Sequence, residues 1–202
     1  MIFIQLSNKS LEDYGYDKNI EKWRLWCDKN DFKLMIHNEE TINKISTDKD
    51  LEMLKRVKDE GRLSFIAIDW GKYKVLNHYG GIYSDMDVAP KKNALDYFDS
   101  DKVVSSFYWK NKYSLNNQLL YFEKGTLRDC LNYLYNQYEI KSKMKIYDSW
   151  KCRFLFQIAG PKGFARWCKI NNIYMKIDFH DYFTDEETKS WIIKKNKNKI
   201  EN

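Results

Sequence analysis

The stretch FIAIDWGKYKVLNHYGGIYSDMDVAP, residues 65–90, decides the fold of this 202-residue chain. Its first part is apolar on one face, and the glycines at 80 and 81 predict the end of a helix there, because glycine readily adopts the left-handed conformation of a helix stop. Residues 82–84 then predict a short strand that ends at Asp85-Met86-Asp87. A helix followed at once by a buried strand is typical of an α/β domain.

The rest of the chain continues this alternation. Strands are predicted at 1–6, 32–36, 102–108, 118–122 and 173–178, and helices at 17–30, 48–59, 126–138, 148–159, 162–170 and 184–195. The predicted fold class is therefore α/β, a single Rossmann-like domain with a mostly parallel central sheet flanked by helices. Because only 2 prolines and 8 glycines are present and no linker interrupts the chain, we expect one domain over residues 1–190 and a lysine-rich tail over 191–202.

Composition excludes several other classes of protein. Hydrophobic residues make up 43% of the chain, which is enough for a packed core and too much for a disordered protein. No run approaches the roughly 18 apolar residues of a membrane helix, and the first ten residues lack the pattern of a signal peptide. A cytoplasmic protein is predicted, and its four widely spaced cysteines are interpreted as reduced core thiols.

The net charge of +6 comes almost entirely from lysine, with 29 Lys against 6 Arg. This bias argues against nucleic-acid binding, because arginine is the better reader of bases and phosphates. Together with 17 Asn, it indicates the AT-rich genome of a microbe or a virus; a viral protein would work in the host cytoplasm.

Asp85 and Asp87 are the strongest candidates for chemistry. They lie two residues apart in an extended segment, so their carboxylates point to the same face. Such a pair suits Mn²⁺ or Mg²⁺, since these ions prefer oxygen ligands and retain positions for phosphate oxygens. A D-x-D pair alone is more typical of a solvated turn, because surface loops often contain one by chance.

The context of this pair resembles glycosyltransferase family 32, sugar transferases that carry a DXD motif and to which the glucosylating clostridial toxins are distantly related. The family pattern S-D-x-x-R-x-x-x-L-x-x-x-G-G-x-Y-x-D-x-D is matched in register at Asp69, Lys72, Leu76, Gly80, Gly81, Tyr83, Asp85 and Asp87. Two positions depart from it. Ile68 stands where the family has serine, and Lys72 stands where it has arginine, which keeps the charge but loses the bidentate geometry.

The resemblance implies a GT-A fold and metal-dependent transfer of a sugar, with retention of configuration, to a glycan or other hydroxyl acceptor. The implied donor is a nucleotide-sugar, with UDP favoured over GDP. Asp87 would bind Mn²⁺ or Mg²⁺ directly, and Asp85 would bind it through water or contact the ribose. Asp69 and Lys72, three residues apart on one helix face, would bind sugar or ribose hydroxyls and the diphosphate.

The resemblance extends more weakly over residues 1–190. It implies that Gln5, Tyr83, Asn117 and Trp191 bind the donor. Further candidates for metal ligands are His180, Glu187 and Ser190. Without the motif, Asp69 and Lys72 form an ordinary helix salt bridge, His180 is a packed loop residue, and Glu187 and Ser190 belong to a solvated face.

Two other functions remain open from the sequence. One is a module that binds a nucleotide-sugar or polyanion without turnover, which the lysine at position 72 and the small size allow. The other is a phosphohydrolase of the haloacid dehalogenase type, which also carries D-x-D after a strand. That class requires a longer apolar run before the first aspartate than residues 80–84 provide.

Overall fold

The structure is a computed structural model that describes residues 2–5, 17–59, 63–99, 102–109, 112–142 and 161–185. The helices are α1 (Asp17–Lys29), α2 (Glu39–Lys44), α3 (Asp48–Asp59), α4 (Leu63–Tyr79), α5 (Arg128–Ser142), α6 (Pro161–Ile170) and α7 (Phe179–Tyr182), with a 3-10 helix at Ala94–Tyr97. The strands are β1 (Ile2–Gln5), β2 (Leu34–His37), β3 (Gly81–Ser84), β4 (Val88–Pro90), β5 (Lys102–Trp109), β6 (Lys112–Phe122) and β7 (Phe183–Asp185).

A five-stranded sheet in the order β2-β1-β3-β6-β5 forms the centre of the fold. Strand β1 pairs in parallel with β2 and β3, whereas β6 is antiparallel to both β3 and β5. Four of these five strands therefore run in one direction, which confirms the predicted α/β domain with a mostly parallel sheet. A small second sheet pairs β4 with β7, and its register places Val88 opposite Asp185.

The sheet separates two hydrophobic cores, because successive side chains of a strand point to opposite faces. Tyr83 and Leu120 belong to the core beneath α4, α5 and α6. Their strand neighbours Ile82 and Leu119 belong to the core beneath α1 and α7, where Trp23 is fully buried. The site at the end of β3 is consequently supported by helices from both faces.

Two predicted elements are wrong. The strand predicted at 173–178 is reduced to an isolated bridge between Lys176 and Ser105, at a point where β5 has an irregular register between Val104 and Ser106. The helix predicted at 184–195 is wrong at its start, because residues 183–185 form β7 against β4.

The rest of that helix, and the helix predicted at 148–159, lie outside the described residues. No helix in the described part of the chain is long and apolar enough to span a membrane.

Three of the cysteines are free and buried, as predicted: Cys27, Cys130 and Cys168. Burial raises the pKa of the Cys27 thiol to about 11 and that of the Cys168 thiol to about 12. Both groups are therefore protonated at neutral pH and pack as apolar side chains. Cys152 lies outside the described residues.

Gly80 ends α4 and cannot be replaced without strain. Its φ is +72°, and a Cβ added there would lie 2.6 Å from the backbone nitrogen of Lys124. We expect Gly80→Ala to lower the free energy of unfolding by about 3 kcal/mol, since left-handed strain and a backbone clash act together. Gly125→Ala is the matched control, because Gly125 has φ +84° but open space around its Cβ position; it should cost about 1 kcal/mol. Urea denaturation measures both, and equal losses would show that the contact with Lys124 is unimportant.

His37, at the end of β2, is expected to make stability depend on pH. Burial lowers its pKa to about 4, from an ordinary value of 6.5. Between pH 4 and pH 6.5 the unfolded chain therefore binds a proton at His37 that the folded chain does not. The free energy of unfolding is consequently unaffected by this group above pH 6.5 and declines as the pH falls toward 4. From pH 7 to pH 5 this group should reduce the free energy of unfolding by about 2 kcal/mol.

His37→Phe tests this expectation, because it removes the titration and keeps a ring against Tyr79, which lies 5.7 Å from the His37 ring between centroids. Urea denaturation at both pH values should show a smaller loss for the variant than for the wild type. The same pH slope in both proteins would exclude His37 as the source.

Candidate active site

The turn between β3 and β4, residues 85–87, places two carboxylates at the end of the central sheet. We call this segment the DxD turn. The backbone nitrogen of Asp85 donates to Gln118 O of β6 at 2.7 Å, and Val88 N donates to Asp85 O at 3.2 Å. These bonds fix the turn to the sheet edge. Asp87 is 5% exposed, whereas Asp85 is more open to solvent.

Lys72 of α4 lies beneath this turn and is only 2% exposed. Its Nζ is 3.0 Å from Asp85 Oδ1, 3.1 Å from Asp69 Oδ1 and 3.3 Å from the backbone oxygen of Asn117. An ammonium group carries three hydrogens, and these three acceptors match them. Lys72 therefore joins α4, the DxD turn and β6 from inside the protein.

Asn117 of β6 is held in a fixed orientation. Its Nδ2 donates to Asp69 Oδ1 at 2.8 Å and to the hydroxyl of Tyr73 at 2.8 Å. Tyr73 is fully buried, and its ring stacks on Phe164 with centroids 4.8 Å apart. Both amide hydrogens of Asn117 are therefore used within the protein, and its amide plane is set by Asp69 and Tyr73.

Tyr83 of β3 supports the first aspartate of the turn. Its hydroxyl donates to Asp85 Oδ1 at 2.9 Å, and its ring centroid lies 5.0 Å from Lys72 Nζ. One carboxylate oxygen of Asp85 thus accepts hydrogen bonds from both Tyr83 and Lys72. Because Tyr83 is 1% exposed, its contribution is to orient Asp85.

The electrostatics of the group are dominated by burial and by the carboxylates. Burial raises the pKa of Asp69, and the positive charge of Lys72 opposes that rise. Burial alone would lower the pKa of Lys72, but the charges of Asp85 and Asp69 raise it above its ordinary value. Burial and the charges of Asp85, Asp69 and Asp87 raise the pKa of Tyr83. Lys72 therefore remains charged, and Tyr83 remains a hydrogen-bond donor.

The ammonium of Lys72 thus lies between the carboxylates of Asp69 and Asp85, and a third carboxylate, that of Asp87, lies in the same turn as Asp85. The remaining negative charge and the all-oxygen donor set fit a hard divalent cation. Within the described residues no three His, Cys, Asp or Glu side chains form a group that encloses a metal ion. A cation bound by this turn would therefore need further oxygen ligands, such as water or phosphate.

Five of the residues predicted from the sequence are brought together by direct hydrogen bonds or ion pairs: Asp69, Lys72, Tyr83, Asp85 and Asn117. Asp87 lies in the same turn. Gln5 ends β1 opposite His37, and only its backbone is described. His180 is exposed on α7, where its ring contacts Phe179. Glu187, Ser190 and Trp191 lie outside the described residues.

Sequence reasoning missed three supporting residues. Tyr73 follows Lys72 directly, and its hydroxyl accepts from Asn117. Asn19 and Trp23 of α1 donate to the backbone of the DxD turn and of β4, to Met86 O and Val88 O. A hydrogen bond between residues 65 positions apart along the chain leaves no local signal in the sequence.

Comparison with known proteins shows what the chain is similar to. Residues 14–108 match the model of the family described as a glycosyltransferase sugar-binding region containing a DXD motif. This region includes α1, α4, β3 and the DxD turn. Residues 14–108 therefore resemble the sugar-binding region of the DXD glycosyltransferases, and this likeness supports a transferase. The match favours this class over the haloacid dehalogenase-type phosphohydrolase.

The fold is similar to that of the PaToxG glycosyltransferase, with a TM-score of 0.57 at 15% sequence identity over 84% of this chain and 67% of that chain. This likeness shows a GT-A-like fold. A mutant transferase matches at a TM-score of 0.44 with 12% identity, over 91% of this chain and 92% of that one. A further transferase matches at 0.39 with 12% identity, over 88% and 90%. No curated protein sequence matches the chain.

Proposed function

We propose that this protein is a metal-dependent hexosyltransferase that moves a sugar from a nucleotide-sugar to a hydroxyl group of a glycan or other acceptor, with retention of configuration. The observation that carries the proposal is the hydrogen-bonded set of Asp69, Lys72, Asp85 and Asn117 beside Asp87. All of these residues except Asn117 lie in the region that matches the glycosyltransferase sugar-binding model. The choice of UDP over GDP and the placement near glycosyltransferase family 32 rest on the sequence resemblance.

Asp87 and Asp85 are proposed to hold Mn²⁺ or Mg²⁺ together with the donor diphosphate. The cation would stabilise the negative charge that grows on the diphosphate when the bond to the sugar breaks. The bonding electron pair leaves with the diphosphate, the acceptor oxygen bonds to the anomeric carbon, and the acceptor proton passes to the departing diphosphate. We assign no second carboxylate as base or nucleophile.

The internal position of Lys72 defines its proposed role. Because its three hydrogens are matched by protein acceptors, we assign it to fixing Asp69 and Asp85 rather than to gripping the diphosphate. Asp69, held by Lys72 and Asn117, would then present its carboxylate to sugar hydroxyls. Tyr83 would act in the same indirect way through Asp85.

We also propose contacts to metal and donor for residues that follow β7. Strand β7 ends at Asp185, which lies opposite Val88, the residue after Asp87. The chain thus leaves the described part beside the DxD turn, which supports Glu187, Ser190 and Trp191 as candidates for metal and donor contacts, with His180 as a further metal candidate. We propose residues 1–190 as the catalytic domain and 191–202 as a lysine-rich tail. A cytoplasmic location and a microbial or viral source stay predictions.

Donor hydrolysis and thermal shift across UDP- and GDP-sugars, each with Mn²⁺, Mg²⁺ or EDTA, test the function. We expect one donor to be cleaved, and to raise the melting temperature, only when a divalent cation is present. Binding without sugar release would instead favour a module that recognises nucleotide-sugars. If no donor is bound and none is cleaved, the proposal is contradicted.

A further inference from the structure

Three consecutive peptide groups around Asp87 are each fixed by a hydrogen bond. The peptide before Asp87 is held through Met86 O, which accepts from Asn19 Nδ2 at 3.2 Å. The peptide after it is held by Val88 N, which donates to Asp85 O at 3.2 Å. The next peptide is held through Val88 O, which accepts from Trp23 Nε1 at 2.8 Å. Both peptide planes that flank the Asp87 Cα are therefore fixed, and with them the direction of its Cα–Cβ bond.

Two of these three hydrogen bonds are donated by side chains of one helix, α1. Asn19 and Trp23 are four residues apart on α1 and therefore share a helix face. They are 1% and 0% exposed. The Trp23 ring stacks on Phe183 of β7 with centroids 6.1 Å apart and meets Trp26 edge-on at 5.6 Å. Because packing holds both donors, they form a fixed frame against which the DxD turn is placed.

We propose that α1 positions Asp87 through the side-chain N–H groups of Asn19 and Trp23, so that this helix sets the geometry of the metal-binding carboxylate without touching metal or substrate. This inference rests on the proposed function in one respect, because it treats Asp87 as a metal ligand. Outer partners that orient a ligand typically change metal affinity about 10- to 100-fold when they are removed. Asn19 and Trp23 are thus positioning residues.

A purely structural role for Trp23 predicts a different pattern of effects. A core tryptophan contributes through its shape and apolar area, which a phenylalanine partly retains, whereas a positioning tryptophan also needs its indole N–H. Trp26 is the matched control: it lies on the same helix, is 6% exposed, and its Nε1 has no hydrogen-bond partner within the described part of the chain. Asn19→Leu provides a second test, because leucine has a similar size and no donor.

The experiment compares wild type with Trp23→Phe, Trp26→Phe and Asn19→Leu in the full chain. Amide hydrogen exchange, read by mass spectrometry on peptides covering residues 85–89, is measured without metal. Binding of Mn²⁺ in the presence of uridine or guanosine diphosphate is measured by electron paramagnetic resonance. We expect Trp23→Phe and Asn19→Leu to speed exchange in the turn about tenfold and to weaken Mn²⁺ binding about tenfold. Trp26→Phe should leave the exchange rate and the Mn²⁺ affinity near those of the wild type, even if it lowers the melting temperature as much as Trp23→Phe does.

The outcomes separate this proposal from the proposed function. Equal exchange in the turn for Trp23→Phe and Trp26→Phe would overturn the positioning role, whether or not the protein binds Mn²⁺. A second outcome is faster exchange in Trp23→Phe but not in Trp26→Phe, while the wild type binds no Mn²⁺ with either nucleotide. This outcome would support the positioning of the turn and contradict the metal-dependent function. Faster exchange with unchanged Mn²⁺ affinity would overturn the claim that the geometry of Asp87 depends on α1.

Discussion

Replacing Asp87 by asparagine is expected to reduce metal-dependent donor cleavage about a thousandfold, while leaving the melting temperature close to that of the wild type. The reason is that the amide keeps the size of the side chain but lacks the negative charge that a hard cation requires. Removing one preorganised electrostatic contact to a transition state typically costs this much in rate. The measurement is the rate of sugar release at saturating donor and Mn²⁺.

The matched control for that variant is Asp96→Asn, which makes the same substitution at an exposed position in the 3-10 helix. It should retain wild-type turnover. Turnover of Asp87→Asn within a few-fold of the wild type would remove Asp87 from the metal site. A melting temperature lowered by many degrees would instead show that the carboxylate is needed to build the turn.

Lys72→Met is the second substitution with a large expected effect. It removes the ammonium that lies 3.0 Å from Asp85 and 3.1 Å from Asp69, so two neighbouring carboxylates lose their shared partner. Removing one member of a buried ion pair typically destabilises a protein by about 3 kcal/mol or more. Because Asp85 also loses one of its two fixed contacts, we expect turnover to fall at least about a hundredfold at temperatures where the variant is folded.

Lys74→Met separates stability from function on the same helix. Lys74 Nζ is 2.6 Å from Asp50 Oδ2, in an ion pair with little solvent exposure that joins α4 to the start of α3. Its loss should lower stability but leave turnover of the folded protein unchanged. Lys72→Arg should retain more activity than Lys72→Met, since it keeps the charge. Equal turnover for the two methionine variants would contradict the role assigned to Lys72.

The sequence predicted those site residues that are close together in the chain, either in one strand end or about one helical turn apart. Asp85 and Asp87 follow a strand that Gly80 and Gly81 introduce, so local geometry was sufficient for this pair. Asp69 and Lys72 share a helix face by spacing, but the family resemblance was needed to assign them to the site. Asn117 was predicted only through the family resemblance. Its contact with Asp69, 48 residues earlier, depends on how β6 lies beside β3.

What the sequence did not predict depends on tertiary packing. Strand β7 was expected to be helical, because three residues carry little pattern and only their pairing with β4 makes them a strand. Strand β4 itself was missed for the same reason. The contact of Lys72 with the donor stays a prediction. Its three protein acceptors could not be predicted, because those of the DxD turn and of β6 are brought to Lys72 only by tertiary packing.

The pairing of β4 with β7 has a consequence for how the protein folds. The hydrogen bond between Thr184 and Ala89 joins residues that are 95 positions apart, whereas the bonds from α1 to Met86 and Val88 span 67 and 65 positions. Contacts between distant residues form late, since long loops must close first. On the ribosome, the DxD turn is therefore synthesised early but gains its last support only after residue 185 has emerged. We therefore expect this turn to reach its final geometry late in folding, after the strands of the central sheet have formed.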